Sequence, residues 1–142
     1  MLSMNREVFI DASFWIALIW RGDENHSNAE RLLEAPLQAD STTVTTNWTL
    51  YEAMTFLVGR AGRHDLALDL YDTLVKEMRT TIFDAATVEE SALEIFRRHS
   101  DKEWSVVDCC NFACIRTRGS EYALAFDHNF HQAQTEFGFT VL

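Results

Sequence analysis

Apolar and polar positions along this chain fall into short runs that alternate between two periods. EVFI, residues 7–10, is apolar after its first residue, as expected of a strand buried on both faces. The apolar run then continues from Ser13 to Trp20 at a length that suits a buried helix. NHSNAERLLEA, residues 25–35, has a helical period and is expected to stop before Pro36. TTVTT, residues 42–46, is β-branched and reads as a second strand. Between Asn47 and Val58 the apolar positions Leu50, Ala53, Met54, Leu57 and Val58 recur at helical spacing, and residues 64–78 repeat the pattern. TTIF, residues 80–83, predicts a third strand. Two helices follow, over 86–99 and 105–119, the second with Gly119 as its stop. YALAF, residues 122–126, and FTVL, residues 139–142, predict the fourth and fifth strands.

Strands that alternate with helices predict a three-layer α/β/α fold around a central, mainly parallel five-stranded sheet. No internal repeat, low-complexity tract or linker interrupts the pattern, so residues 1–142 read as a single domain. No apolar stretch reaches the length of about 18 residues that a membrane span needs. The segment from Val8 to Trp20 has the apolar length of a signal-peptide core. Asp11 interrupts it, however, and the following RGDENHSNAE is no small-residue cleavage site; a cytoplasmic protein is expected. Met1 and Met4 both offer a start.

Charge narrows the function classes. A net charge of −10 argues against a protein that coats nucleic acid through a basic surface. It leaves room for a nuclease, because a bound cation reverses the local sign, and it suits a basic protein partner. Cys109, Cys110 and Cys114 fall within one helical segment; their odd number and the absence of a C-x-x-C pair favour core packing over a disulfide or zinc site.

The candidate chemistry lies in four acids at element ends. Asp11 follows VFI, and Asp127 follows YALAF; in open parallel sheets, sites form outside the carboxyl ends of the strands. Glu52 and Asp108 each lie in the first turns of a predicted helix. Each acid has a plainer explanation. Thr49 with Glu52, and Ser105 with Asp108, match the helix capping box, and Asp11 and Asp127 can form turns after strands. Taken together, four carboxylates at one edge repel one another unless a cation joins them, and oxygen-only ligation selects Mg²⁺ or Mn²⁺.

The stretches VFIDASFWIAL, TNWTLYEAMTFL, WSVVDCCNFACIRTRG and YALAFDHNF, in this order and spacing, resemble the PIN domain. This is the nuclease fold of VapC-type toxins in bacterial toxin–antitoxin pairs. The resemblance covers essentially the whole chain. It implies a metal-dependent endoribonuclease in which water activated by the ion attacks phosphorus, leaving a 5′-phosphate and a 3′-hydroxyl. It assigns Asp11, Asp108 and Asp127 as metal ligands and Glu52 as a further ligand or a group that orients water. Ser13 and Ser105 take the hydroxyl positions that hold carboxylates in place. Ala125 departs from the family pattern, which often has Thr or Ser there, and so removes one supporting hydrogen bond. The implied partners are an RNA substrate, a small antitoxin with a basic tail, and a second copy in a homodimer.

Other signals carry less. His128 and His131 form H-x-x-H beside Asp127, which lacks the spacing and third ligand of a zinc site and reads as a polar loop. The four tryptophans read as core or interface residues, and Arg116 and Arg118 as charges suited to a helix C-terminus. The rival readings are a PIN-like binding module that no longer cleaves, another metal-dependent phosphate hydrolase, and a phosphoryl receiver. The first expects a lost acid, and none is lost. The receiver expects an acidic pair before Asp11 and a late lysine, and neither is present.

Overall fold

The computed structural model describes residues 6–142, so Met1 and Met4 lie outside the described residues. Five strands form one sheet: β1 (Glu7–Ile10), β2 (Thr42–Thr46), β3 (Thr81–Phe83), β4 (Tyr122–Leu124) and β5 (Thr140–Val141). Their order is β3-β2-β1-β4-β5, and every pairing is parallel, from Phe9 opposite Val44 and Ala123 to Ala123 opposite Val141. The chain therefore starts in the middle, builds outward to one side, then returns and builds to the other. The point where that order reverses lies at β1 and β4.

Among the described residues, seven α-helices cover the sheet: α1 (Ala12–Ile19), α2 (His26–Gln38), α3 (Asn47–Gly59), α4 (His64–Asp72), α5 (Glu89–Arg98), α6 (Val106–Arg118) and α7 (His128–Phe137). Successive side chains of a strand point to opposite faces. Val8 and Ile10 accordingly enter one core with Phe14, Trp15, Leu50, Leu57 and Leu70 from α1, α3 and α4. Phe9 enters the other, with Ile95, Phe112, Phe130 and Phe137 from α5, α6 and α7. Both faces of β1 are dry, which is why its sequence is a continuous apolar run. The three cysteines are free and buried in α6, where burial pushes the thiols of Cys109, Cys110 and Cys114 up to about 12, 11 and 12.

Several boundaries differ from the pattern-based expectation, each for a local reason. α2 runs through Pro36 to Gln38. Proline removes one N–H, and so near a helix end it costs a single bond; the Ala39 and Ser41 N–H groups still reach the carbonyls of Ala35 and Pro36. The helix expected over 64–78 divides into α4 and a π-helical turn, Thr73–Glu77, in which the Met78 N–H donates to the Thr73 carbonyl at 2.9 Å. The helix expected from Ala86 starts as a 3₁₀ turn, Ala85–Val88. β4 ends at Leu124, two residues before the apolar run does. His128 and His131 lie on α7, a helix the pattern did not predict, and not in a loop.

Phe112 ties this second face together. It is fully buried, with its ring centroid 4.9 Å from Trp104, 5.1 Å from Phe130 and 5.4 Å from Phe137. Phe112→Ala is expected to destabilise the fold by about 3–5 kcal/mol, read from urea denaturation midpoints. A loss below about 1 kcal/mol would mean that the aromatic cluster closes over the gap.

Candidate active site

The reversal of strand order places the ends of β1 and β4 side by side, and the acids gather there. Asp11 is the N-cap of α1, with its backbone N–H bonded to the Leu124 carbonyl at 3.0 Å. Its Oδ2 accepts the Ser13 hydroxyl at 2.7 Å and the Ser13 N–H at 3.2 Å, while its Oδ1 accepts the Asn111 side-chain amide at 3.3 Å. Asp127, separated from β4 by Ala125 and Phe126, is the N-cap of α7 and accepts the Asn129 N–H at 2.9 Å. Asp108 lies in the first turn of α6 in a complete capping box. Ser105 Oγ accepts the Asp108 N–H, and Asp108 Oδ2 accepts the Ser105 N–H, both at 3.0 Å. Glu52 forms no such box: α3 begins earlier, with Thr46 as the N-cap and its hydroxyl accepting the Thr49 N–H. The plainer explanation thus holds for Asp108 and fails for Glu52.

Two asparagines that the pattern did not single out hold these acids. Asn129 donates its side-chain amide to Asp108 Oδ2 at 3.1 Å, so one residue bonds Asp108 through its side chain and Asp127 through its backbone. Its Oδ1 is buried and has no hydrogen-bond partner. Asn111 is wholly buried and joins Asp11 to the Thr49 hydroxyl. The signal for Asn111 was the same as for Asp11, a polar residue inside an apolar run, CCNFACI. Ser13 also spans the gap to the fourth acid, since its hydroxyl accepts the Phe126 N–H at 3.0 Å. Ala125, which has no hydroxyl, is buried.

Electrostatics marks the four acids as one cluster. Burial, opposed by the Ser13 hydrogen bond and reinforced by Asp108 and Glu52, pushes Asp11 up to about 7. Burial also raises Asp108, with Asp127 adding to it against the bonds from Ser105 and Asn129. Glu52 is exposed, yet desolvation is the main cause of its upward shift, followed by Asp108 and Asp127. His128 Nδ1 stands 3.7 Å from Asp127 Oδ1, on an exposed ring. Among the described residues, no group of three or more His, Cys, Asp or Glu side chains stands in ligating geometry. The donor set itself fits a hard divalent cation: it is all oxygen, it is negatively charged, and it includes the unpartnered Asn129 Oδ1.

A cavity of about 240 Å³ opens beside this cluster, lined by Ser13, Ile16, Phe56, Phe126 and Asp127. A larger one, about 350 Å³, lies between α3 and α4 and contains none of the four acids. The chemistry decides between them in favour of the smaller. Arg118 lies away from both: it pairs with Glu7 at 2.7 Å, at the start of β1 and so the opposite edge of the sheet.

A doubly wound sheet with acids at the switch point suits a metal-dependent hydrolase. The comparisons with known proteins specify it further. A family model for the PIN domain matches residues 8–136. The 23S rRNA-specific endonuclease VapC20 of Mycobacterium tuberculosis, in strains CDC 1551 / Oshkosh and ATCC 25618 / H37Rv, is 36% identical over 129 residues, covering 89% of this chain and 93% of that protein. The crystal structure of M. tuberculosis VapC20, described as a sarcin-ricin loop cleaving toxin, superposes with a TM-score of 0.78 at 34% identity, over 89% of this chain and 94% of that one. FitAcB from Neisseria gonorrhoeae shares the fold at a TM-score of 0.62 and 12% identity, over 95% and 96% of the two chains. The chain belongs to the PIN-domain family. Members of that family are nucleases that generally depend on a divalent metal.

The raised pKa of Asp11 has a stability consequence with a definite sign. The folded protein holds a proton that the unfolded chain releases near pH 3.8. That contribution is complete below pH 3.8 and is lost as pH rises through about 7. At about 1.4 kcal/mol per pH unit, the loss is roughly 4 kcal/mol at most. In chelator, the melting midpoint of the wild type is expected to fall more steeply between pH 5 and 7.5 than that of Asp11→Asn. Parallel curves would show that Asp11 ionises normally in the fold.

Proposed function

We propose that this chain, as a single PIN domain over residues 1–142, is a divalent-metal-dependent endoribonuclease and the toxin of a toxin–antitoxin pair. The observation that carries the reading is the cluster of four acids, in which burial and neighbouring carboxylates raise the pKa of Asp11, Glu52 and Asp108. Asp11, Asp108 and Asp127 would hold Mg²⁺ or Mn²⁺, with Glu52 as a further ligand or as the group that orients water. A bound ion supplies water activation and neutralises charge on the phosphodiester. The Ser13 hydroxyl fixes one oxygen of Asp11; the carboxylate of Asp108 is fixed by the backbone N–H of Ser105 and not, as the sequence suggested, by its hydroxyl, so these acids meet the ion already oriented. The cavity beside Asp127 offers Phe56 and Phe126 to the bases that flank the cut. Identity to VapC20 along nearly the whole chain supports ribosomal RNA as the substrate class. A binding module without activity is disfavoured because all four acids are present.

The partners follow from charge and surface. A net charge of −10 favours an antitoxin with a basic tail that enters the acidic edge. Tyr51 and Val58 on α3 and Leu68 and Tyr71 on α4 are exposed apolar residues available to a second copy in a homodimer. Among the described residues, no helix is long and apolar enough to cross a membrane, and a cytoplasmic site of action fits an RNA substrate.

Asp108→Asn is expected to abolish RNA cleavage while leaving the circular dichroism spectrum intact, because Asn keeps the cap but loses the charge that binds metal. Cleavage at the wild-type rate with matched Mn²⁺ would overturn the assignment. Free Mn²⁺ at a hundred times its dissociation constant is expected to stabilise the wild type by about 2.7 kcal/mol. Most of that response should vanish in the Asp11→Asn, Asp127→Asn double variant. Light scattering that finds only a 16.3 kDa species at high micromolar concentration would exclude the dimer.

A further inference from the structure

One turn from the acids, on the core side, a second set of polar side chains runs between the same elements. Thr46 donates its hydroxyl to Thr49 Oγ1 at 3.0 Å, Thr49 donates to Asn111 Oδ1 at 2.6 Å, and Asn111 donates to Asp11 Oδ1 at 3.3 Å. All four residues are buried, and Thr46, Thr49 and Asn111 are wholly so. Thr49 precedes Glu52 by three residues on α3, and Asn111 follows Asp108 by three on α6. Residues three apart share a helix face. α3 and α6, which bring Glu52 and Asp108 to the site, therefore each also bring a link of this chain.

The direction of the bonds is what matters. A carboxylate offers about four acceptor positions. Ser13 takes two on Oδ2 of Asp11, and Asn111 takes one on Oδ1, so a single lone pair of Oδ1 remains for a cation. The Asn111 bond decides where that lone pair points. An amide can turn end for end, and with its oxygen toward Asp11 it would repel the carboxylate. The Thr49 hydroxyl prevents this by donating to Oδ1 of the amide, and Thr46, by donating to Thr49, leaves that hydroxyl's proton for Asn111. Aligned donors of this kind strengthen one another in a dry interior.

We propose that Asn111, oriented by Thr49, is a positioning residue that aims the free lone pair of Asp11 at the metal ion. The proposal rests on the metal-site reading above. It assigns Asn111 no contact with RNA and no part in proton transfer.

Titration calorimetry with Mn²⁺ on folded protein tests it directly, using Thr49→Val, Thr49→Ser, Asn111→Leu and Asp108→Asn. Valine fills the volume of threonine without the hydroxyl, and serine keeps the hydroxyl. Thr49→Val and Asn111→Leu are expected to weaken Mn²⁺ about tenfold or more, as loss of an outer partner of a ligand does. Thr49→Ser should bind as the wild type does. Cleavage should follow the same order at low Mn²⁺ and recover toward the wild-type kcat as Mn²⁺ is raised. A purely structural role predicts lowered melting midpoints with wild-type Mn²⁺ affinity in Thr49→Val and Asn111→Leu, and that result overturns the proposal. If Asn111→Leu does not fold, the contrast between valine and serine at position 49 decides alone. Asp108→Asn separates the two readings. Wild-type Mn²⁺ affinity in this variant sinks the metal site and the proposal with it. Lost affinity there beside unchanged affinity in Thr49→Val sinks the proposal only.

Discussion

Negative charge held in a poor solvent is the constraint around which this molecule is arranged. Asp11 and Asp108 are buried, Glu52 feels the charges of Asp108 and Asp127, and Asp127 completes the group, so each additional ionised carboxylate makes the next harder to ionise. Neutral donors carry much of the compensation within the chain. Ser13, Ser105, Asn111 and Asn129 each give a hydrogen bond to one of the acids. Such donors orient a carboxylate without cancelling its charge. An arginine in the same place would cancel it, and the site would lose its attraction for a cation.

The basic groups are employed elsewhere. Arg118 grips Glu7 through two nitrogens at the far edge of the sheet, with Ser120 bonded to the same carboxylate. Arg63 pairs with Asp65 two residues on, and Arg98 with Glu94 one turn away. These exposed pairs add little stability. At the start of β1 the pair of Arg118 and Glu7 ties the sheet to α6, while the acids gather at the other end of the strands.

Most of the framework was legible because both faces of the sheet are covered. Strands buried on both sides read as apolar runs, and helices packed on one side show their period. The exceptions have physical causes. α7 escaped notice because His128, Asn129, His131 and Gln132 dilute it, although Phe130, Ala133 and Phe137 keep a helical spacing and are buried. α2 passed its proline because the break falls in the last turn. At the site, the acids stood out as charges among apolar neighbours, but a capping motif was assigned to Thr49 and Glu52 where Thr46 provides the cap. Asn111 stands out as a polar residue in an apolar run, but its partner, like that of Asn129, lies across the fold, 100 and 21 positions away respectively. No local pattern encodes a partner at that distance.

The order of the strands has a consequence for the life of the chain during its synthesis. Ser13 and Phe126, which join the two halves of the site, lie 113 residues apart. β1 can pair with β2 early, but its other neighbour, β4, is made from the last fifth of the sequence. Until that strand docks, Asp11 has no companion at residue 127 and no bond between Ser13 and Phe126. A ribosome making this protein therefore handles a chain whose acids are scattered, and the complete cluster first forms when nearly all of the polypeptide is free to fold. A site that joins residues 113 positions apart is thereby withheld until the segment carrying β4 has been made.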